Sequence, residues 1–200
     1  MLATLSSPHS RKGWAYEIKW DGYRILASKR IDQVELVSRN GKNANAWFPE
    51  IVEGLQRIPG SFLLDGEACV IDTRGRPDFE RMRAIARGGR RREETVAYFA
   101  FDLVALGEHD CRAWTYERRK RSLFDLVPER TGRINSVDYV EGEGLELFGE
   151  SVRAGLEGIV AKRMDSVYVG GRSLDWQKFK APNYADGWNR VGNRASKKPS

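Results

Sequence analysis

The chain is poor in soft metal ligands. Its 200 residues carry two cysteines, Cys69 and Cys111, and two histidines, His9 and His109, with no CxxC spacing and no paired histidines. The usual tetrahedral zinc sites are excluded, and any metal here would be held by oxygen. Cys69 is expected to be a packing residue and Cys111 a loop thiol. No run of about eighteen apolar residues occurs, and no basic-then-apolar leader opens the chain, so neither a membrane span nor a secretory signal is predicted and a cytoplasmic protein is expected. The phosphate-gripping loop GxxxxGK[ST] is missing, as is a kinase-type glycine loop followed by HRD and DFG. Acid surplus is missing too: lysine plus arginine number 34 against 28 acids, a net charge of +6. Such a surface suits polyanions, among them nucleic acid, nucleotides and phosphorylated substrates.

Short β-rich stretches are present at 14–20, 23–29, 33–38, 62–71, 96–106, 157–163 and 175–180. Turn residues separate them, which predicts antiparallel pairing more than a doubly wound parallel sheet. In the first stretch Trp14, Tyr16, Ile18 and Trp20 share one face, and Ala15, Glu17 and Lys19 the other, the period of two of a strand. Asp21-Gly22 then breaks the run, and between two strands this pair predicts a tight hairpin. Helices are predicted within "AWFPEIVEGLQRI", where Phe48, Ile51, Val52, Leu55 and Ile58 share a face. Further helices are predicted in "DFERMRAIAR", "TYERRKRSLFDLV" and "ELFGESVRAG", the last capped by Gly155. The fold class is α+β. "ARGGRRREE" predicts an exposed loop whose Arg90, Arg91 and Arg92 are candidate DNA contacts. The tail, residues 184–200, is basic and aperiodic and is expected to be frayed, leaving residues 1–183 as the folded domain.

Five strand ends carry charges that are costly to bury unless they are paired or face a ligand. They are Lys19-Trp20-Asp21-Gly22-Tyr23-Arg24, Ser38-Arg39-Asn40-Gly41, Asp65-Gly66-Glu67, Glu157 to Lys162, and Trp176 to Lys180. One cleft collecting them would set Lys19, Arg24, Arg39, Lys162, Lys178 and Lys180 against Glu67 and Glu157. Cations for phosphate oxygens and carboxylates for a hard metal ion are what a nucleoside triphosphate with Mg²⁺ requires.

The motifs "KWDGYR", "SRNG", "LDGEACV", "FDLV", "EGIVAKR" and "WQKFK" stand in the order found in ATP-dependent DNA ligases, and the chain resembles the adenylation domain of that family from "MLA" to Lys180. The resemblance implies a nucleotidyltransferase (ATP-grasp-like ligase adenylation) architecture, with Lys19 attacking the α-phosphorus of ATP to form lysyl-AMP. Arg24 and Arg39 resemble the family's phosphate- and ribose-side contacts, and Glu67 the acid near the ribose hydroxyls. Phe101 resembles the aromatic that packs on adenine, and Lys178 and Lys180 the pair facing the α-phosphate. Backbone groups at Glu17 and Ile18 are expected at the adenine edge. Glu67 and Glu157 resemble the carboxylates linked to Mg²⁺, with Mn²⁺ as the alternative ion. A neutral Lys19 amine is needed, and the surrounding cations are expected to lower its pKa.

The implied activity is sealing of 5′-phosphate, 3′-hydroxyl nicks in duplex DNA, the DNA being the expected partner. An RNA ligase, a capping guanylyltransferase and a non-catalytic nicked-DNA-binding repair module are the alternatives. Too few residues follow Lys180 for the oligonucleotide-binding barrel of conventional ligases, so a standalone domain or a fragment is expected, with no DNA-binding domain ahead of it. A repair-complex protein is then the expected source of the barrel's function, and sealing of a pre-adenylated nick is expected to survive better than the full reaction from ATP.

Overall fold

The computed structural model describes residues 1–88, 95–127, 132–182 and 184. In chain order the elements are β1 (Leu2–Leu5), β2 (Trp14–Ile18), β3 (Tyr23–Arg30), β4 (Gln33–Ser38), α1 (Pro49–Gln56), β5 (Phe62–Ile71), α2 (Phe79–Ala86) and β6 (Thr95–Leu106). There follow β7 (His109–Asp110), a short 3₁₀ turn at Cys111–Ala113, α3 (Tyr116–Leu126), β8 (Ile134–Ser136), β9 (Tyr139–Glu141), α4 (Gly144–Arg153), β10 (Gly158–Arg163) and β11 (Arg172–Lys180). The class is α+β, as expected. The proposed DNA contacts Arg90, Arg91 and Arg92, and all of the tail except Tyr184, lie outside the described residues.

Two sheets form. The first has the order β1-β11-β10-β2-β9, and the second β4-β3-β5-β6-β7, with β8 beside β6. Pairing is antiparallel except for β1 with β11 and β6 with β8, which run parallel. The Asp21-Gly22 hairpin is overturned: β2 and β3 belong to different sheets, so these residues carry the chain across from one sheet to the other. Gly22 is needed there for close approach, because a Cβ would run into the Ala68 carbonyl and Cys69 Sγ. Gly22→Ala must therefore displace backbone, and an overpacking cost of about 2 kcal/mol is expected, read as a lower urea midpoint at unchanged slope.

Each sheet buries one face under helices. Ile25, Leu36 and Leu64 of the second sheet pack with Phe48, Ile51 and Leu55 around α1 and with Met82 of α2, all below a tenth exposed. On the first sheet Tyr16, Ile159, Ala161 and Phe179 face Leu147 and Phe148 of α4. Gly155 ends α4 as expected: its φ is 71°, its N–H reaches the Val152 carbonyl at 3.1 Å, and the Leu156 N–H reaches the Ser151 carbonyl at 2.9 Å. Cys111 departs from expectation, being fully buried at the start of the 3₁₀ turn.

The β3–β4 hairpin turns on Ile31 and Asp32, and Ile31 has a φ of 52° with 82% of its surface exposed. A β-branched residue is strained there, at a position that glycine usually takes in two-residue hairpin loops. Ile31→Gly is expected to stabilise the chain by about 1 kcal/mol, a rise of roughly 2–4 °C in melting temperature. No helix of the described residues is long and apolar enough to cross a membrane.

Candidate active site

The strand period decides what faces the space between the sheets. Tyr16 and Ile18 turn toward α4, so Glu17 and then Lys19 turn inward, toward β5 and β6. The result is a cleft of about 240 Å³ whose walls include Glu17, Ile18, Lys19, Arg24, Arg39, Glu67, Phe101 and Lys178. Glu157 and Lys180 join this group through Lys19. Lys19 Nζ donates to Glu157 Oε2 at 2.6 Å, while Lys180 Nζ lies 3.4 Å from Glu157 Oε1. The Lys19 backbone N–H is anchored on the Gly158 carbonyl at 2.9 Å, so the end of β2 is held against the start of β10. Trp20 stacks on Phe99 at 3.7 Å between ring centres and 13° between planes, turning the chain toward the second sheet. Asp21 accepts from the Tyr184 hydroxyl at 2.8 Å.

The charge state of Lys19 differs from expectation. Burial alone would lower its pKa, but Glu157, with Glu67 and Asp21 behind it, outweighs burial and holds the ammonium above its ordinary value. The nearest group is a carboxylate and not one of the clustered cations, which is why the expected depression is absent in the free protein. Lys178 does shift down, through burial and the charges of Lys180 and Lys19. Burial pushes Glu67 up to about 8 against the pull of Lys19 and Arg24.

A buried ionic cluster forms part of the cleft wall, which Glu17 and Lys162 both line. Glu17, 2% exposed, accepts from Lys120 Nζ and the Tyr116 hydroxyl at 2.6 Å on one oxygen, and pairs with Lys162 Nζ at 2.6 Å on the other. Burial opposes ionisation of Glu17, but the two ammonium groups outweigh it and keep the carboxyl below its usual range. Burial, only partly offset by Glu17, pushes Lys162 down to about 8. Lys162 also donates to the Phe101 carbonyl at 2.9 Å and sits 4.2 Å from the centre of the Trp176 ring. The Glu17 side chain is thus engaged by Lys120, Tyr116 and Lys162 at the cleft wall.

Sequence reasoning missed several contributions, Arg172 in the cleft wall among them. β1 brings Met1, Leu2 and Ala3 into the cleft wall; its partner β11 is so distant in sequence that no local pattern announces the pairing. Trp176 is 3% exposed and also lines the cleft. Asp65, fully buried, takes Arg24 in a forked pair with Nε to Oδ1 at 2.9 Å. Asp65, one of two acids within the apolar "FLLDGEACVI", was the available signal, since a buried carboxylate demands a partner.

Residues 2–180 match the family described as the ATP dependent DNA ligase domain. The multifunctional non-homologous end joining DNA repair protein LigD of Mycobacterium tuberculosis is 34% identical over 205 residues, covering 98% of this chain and 26% of that protein. The chain therefore spans about a quarter of that relative's length. The crystal structure of the ligase domain from M. tuberculosis LigD superposes with a TM-score of 0.78 at 34% identity, over 90% of this chain and 59% of the other. A mycobacterial DNA ligase D complexed with ATP and MES gives a TM-score of 0.76 at 33% identity, over 90% and 58%. From its ordered motifs, its two sheets and these likenesses, the chain belongs to the ATP dependent DNA ligase domain family.

Proposed function

We propose that residues 1–183 are the nucleotidyltransferase domain of an ATP-dependent DNA ligase that forms lysyl-AMP on Lys19 and seals nicks in duplex DNA. The observation that carries this reading is the placement of the Lys19 amine, 24% exposed, at a cleft shared with Arg24, Glu67 and Lys178 and bonded to Glu157. In the first step Lys19 Nζ gives up a proton and forms an N–P bond to the α-phosphorus of ATP. The bond from that phosphorus to its bridging oxygen breaks, and diphosphate leaves with the electron pair. The nick's 5′-phosphate then takes the adenylyl group and frees Lys19, after which the 3′-hydroxyl displaces AMP and closes the backbone.

The chain's own part is mostly charge placement. Lys178 and Lys180 stand where negative charge grows on the transferring group, and Phe101 offers a face for the base. The forked pair with Asp65 fixes Arg24 toward the sugar and phosphates, with Arg39 in the same cleft wall. Lys19 must leave Glu157 before it can act, and Lys180 already shares that carboxylate. Glu67 and Glu157 are the residues that would hold Mg²⁺. Among the described residues no three His, Cys, Asp or Glu side chains converge on one point; an ion arriving with ATP would keep phosphate and water oxygens as further ligands. When bound, Mg²⁺ neutralises phosphate charge and eases departure of diphosphate.

End joining, named for the M. tuberculosis relative, is the process we assign to this domain, in the cytoplasm, with nicked duplex DNA as its substrate and a repair protein completing the grip on it. Incubation with α-labelled ATP and Mg²⁺, followed by a denaturing gel, is expected to leave label on the 22.8 kDa chain. Added nicked duplex is expected to discharge that label and be sealed. An unlabelled chain at saturating ATP would overturn the reading.

A further inference from the structure

The two halves of the cleft come from different sheets. Lys178 and Lys180 belong to the first, with Lys19 immediately after β2 and Glu157 immediately before β10; Arg24 and Glu67 belong to the second. Between β10 and β11 runs the loop 164–171, and its Tyr168 reaches across to the other sheet. The Tyr168 hydroxyl donates to Asp65 Oδ2 at 2.7 Å, the same oxygen that takes Arg24 Nη2. Asp65 is fully buried, so this bond is shielded from competing water.

The loop is itself fixed. The Tyr168 N–H donates to the Arg112 carbonyl at 2.8 Å, and the Ser166 carbonyl accepts from the Tyr116 N–H at 2.7 Å and from Arg119 Nη1 at 3.1 Å. Its flanking residues Val167 and Val169 remain 43% and 40% exposed, so the tyrosine is the inward-reaching side chain between two outward ones.

We propose that Tyr168 is a positioning residue for nucleotide binding: through Asp65 it sets the orientation of Arg24 and ties the β10–β11 half of the cleft to the β3–β5 half before ATP arrives. The inference rests on the ligase reading above and adds a residue to it. With the tie in place, ATP meets a preformed cleft. Without it, part of the binding free energy is diverted to fixing Asp65 and Arg24 in place, which weakens affinity while leaving the bound geometry intact. The loss should therefore fall on binding more than on the adenylation rate at saturating ATP.

The test uses Tyr168→Phe, which keeps the ring at its edge-on contact with Trp176 and near Arg119. ATP affinity is read from emission of Trp20 and Trp176, both in the cleft wall, and needs no turnover. A hydrogen bond to a charged acceptor predicts about a tenfold rise in Kd for ATP, with the saturated labelling rate within about twofold of the original. A Kd unchanged within about twofold would overturn the proposal. Arg24→Lys supplies the second arm. If Tyr168 acts through Arg24, adding Tyr168→Phe to Arg24→Lys should change Kd by less than about twofold, whereas a further tenfold loss overturns it. Tenfold weaker binding by Tyr168→Phe in a chain that never takes label would uphold the tie and sink the adenylation reading alone.

Discussion

Lys19→Arg is expected to abolish transfer of label from α-labelled ATP, a loss of about ten thousand-fold or more, as removal of a covalent nucleophile generally causes. Arginine keeps a positive charge beside Glu157, 2.6 Å from the present amine, so the ion pair and the fold should survive. A guanidinium does not give up its proton in this pH range and cannot form the phosphoramidate. Lys19→Ala should fail in the same way. ATP binding, followed through Trp20 and Trp176, is expected to persist in Lys19→Arg, which separates loss of chemistry from loss of structure. Label retained in Lys19→Arg would move the nucleophile elsewhere. Lys178 would then be the first place to look, because burial and the charges of Lys180 and Lys19 already lower its pKa.

Glu17→Gln should be the most damaging change to stability. It leaves Lys120 and Lys162, each 1% exposed, without their shared carboxylate. Breaking a buried pair from one side costs about 3–5 kcal/mol. For a chain of this size that is a fall of roughly 10 °C in melting temperature. The pH dependence gives a second reading. The folded-state pKa of Glu17 is depressed, so its contribution is fully present above the ordinary carboxylate value and is lost as pH falls through the depressed one. The acid limb of a stability profile should accordingly be shallower in Glu17→Gln than in the original chain. Equal melting temperatures at neutral pH would mean that the two lysines find other acceptors, and the cluster would not be what holds α3 to β2.

Much of the site was legible because its residues repeat a simple contradiction: charge at the ends of apolar strands. Lys19, Arg24, Glu157, Lys178 and Lys180 stand at or near strand ends, whereas Glu67 lies midway along β5, and the structure brings all six to one cleft or its edge. Strand and helix positions were legible for the same local reason, since period and turn chemistry act over a few residues. The Asp21-Gly22 crossing was not, because a hairpin and a jump between sheets share the same dipeptide. Only pairing partners far along the chain distinguish them.

The charge on Lys19 was likewise beyond the sequence. Composition surrounds it with cations, yet its amine lies 2.6 Å from a glutamate 138 residues away. What residue order alone determined is the inventory and its spacing: a lysine at the end of a strand, the acids and bases that could serve it, and the helices that cover the sheets. Which of these touch, which pair in a buried cluster as Glu17 does with Lys120 and Lys162, and which hydroxyl ties one sheet to the other were decided only by tertiary structure. The physical reason is that local preference extends over a few residues, whereas electrostatic pairing and close packing depend on distances that exist only once the two sheets have met.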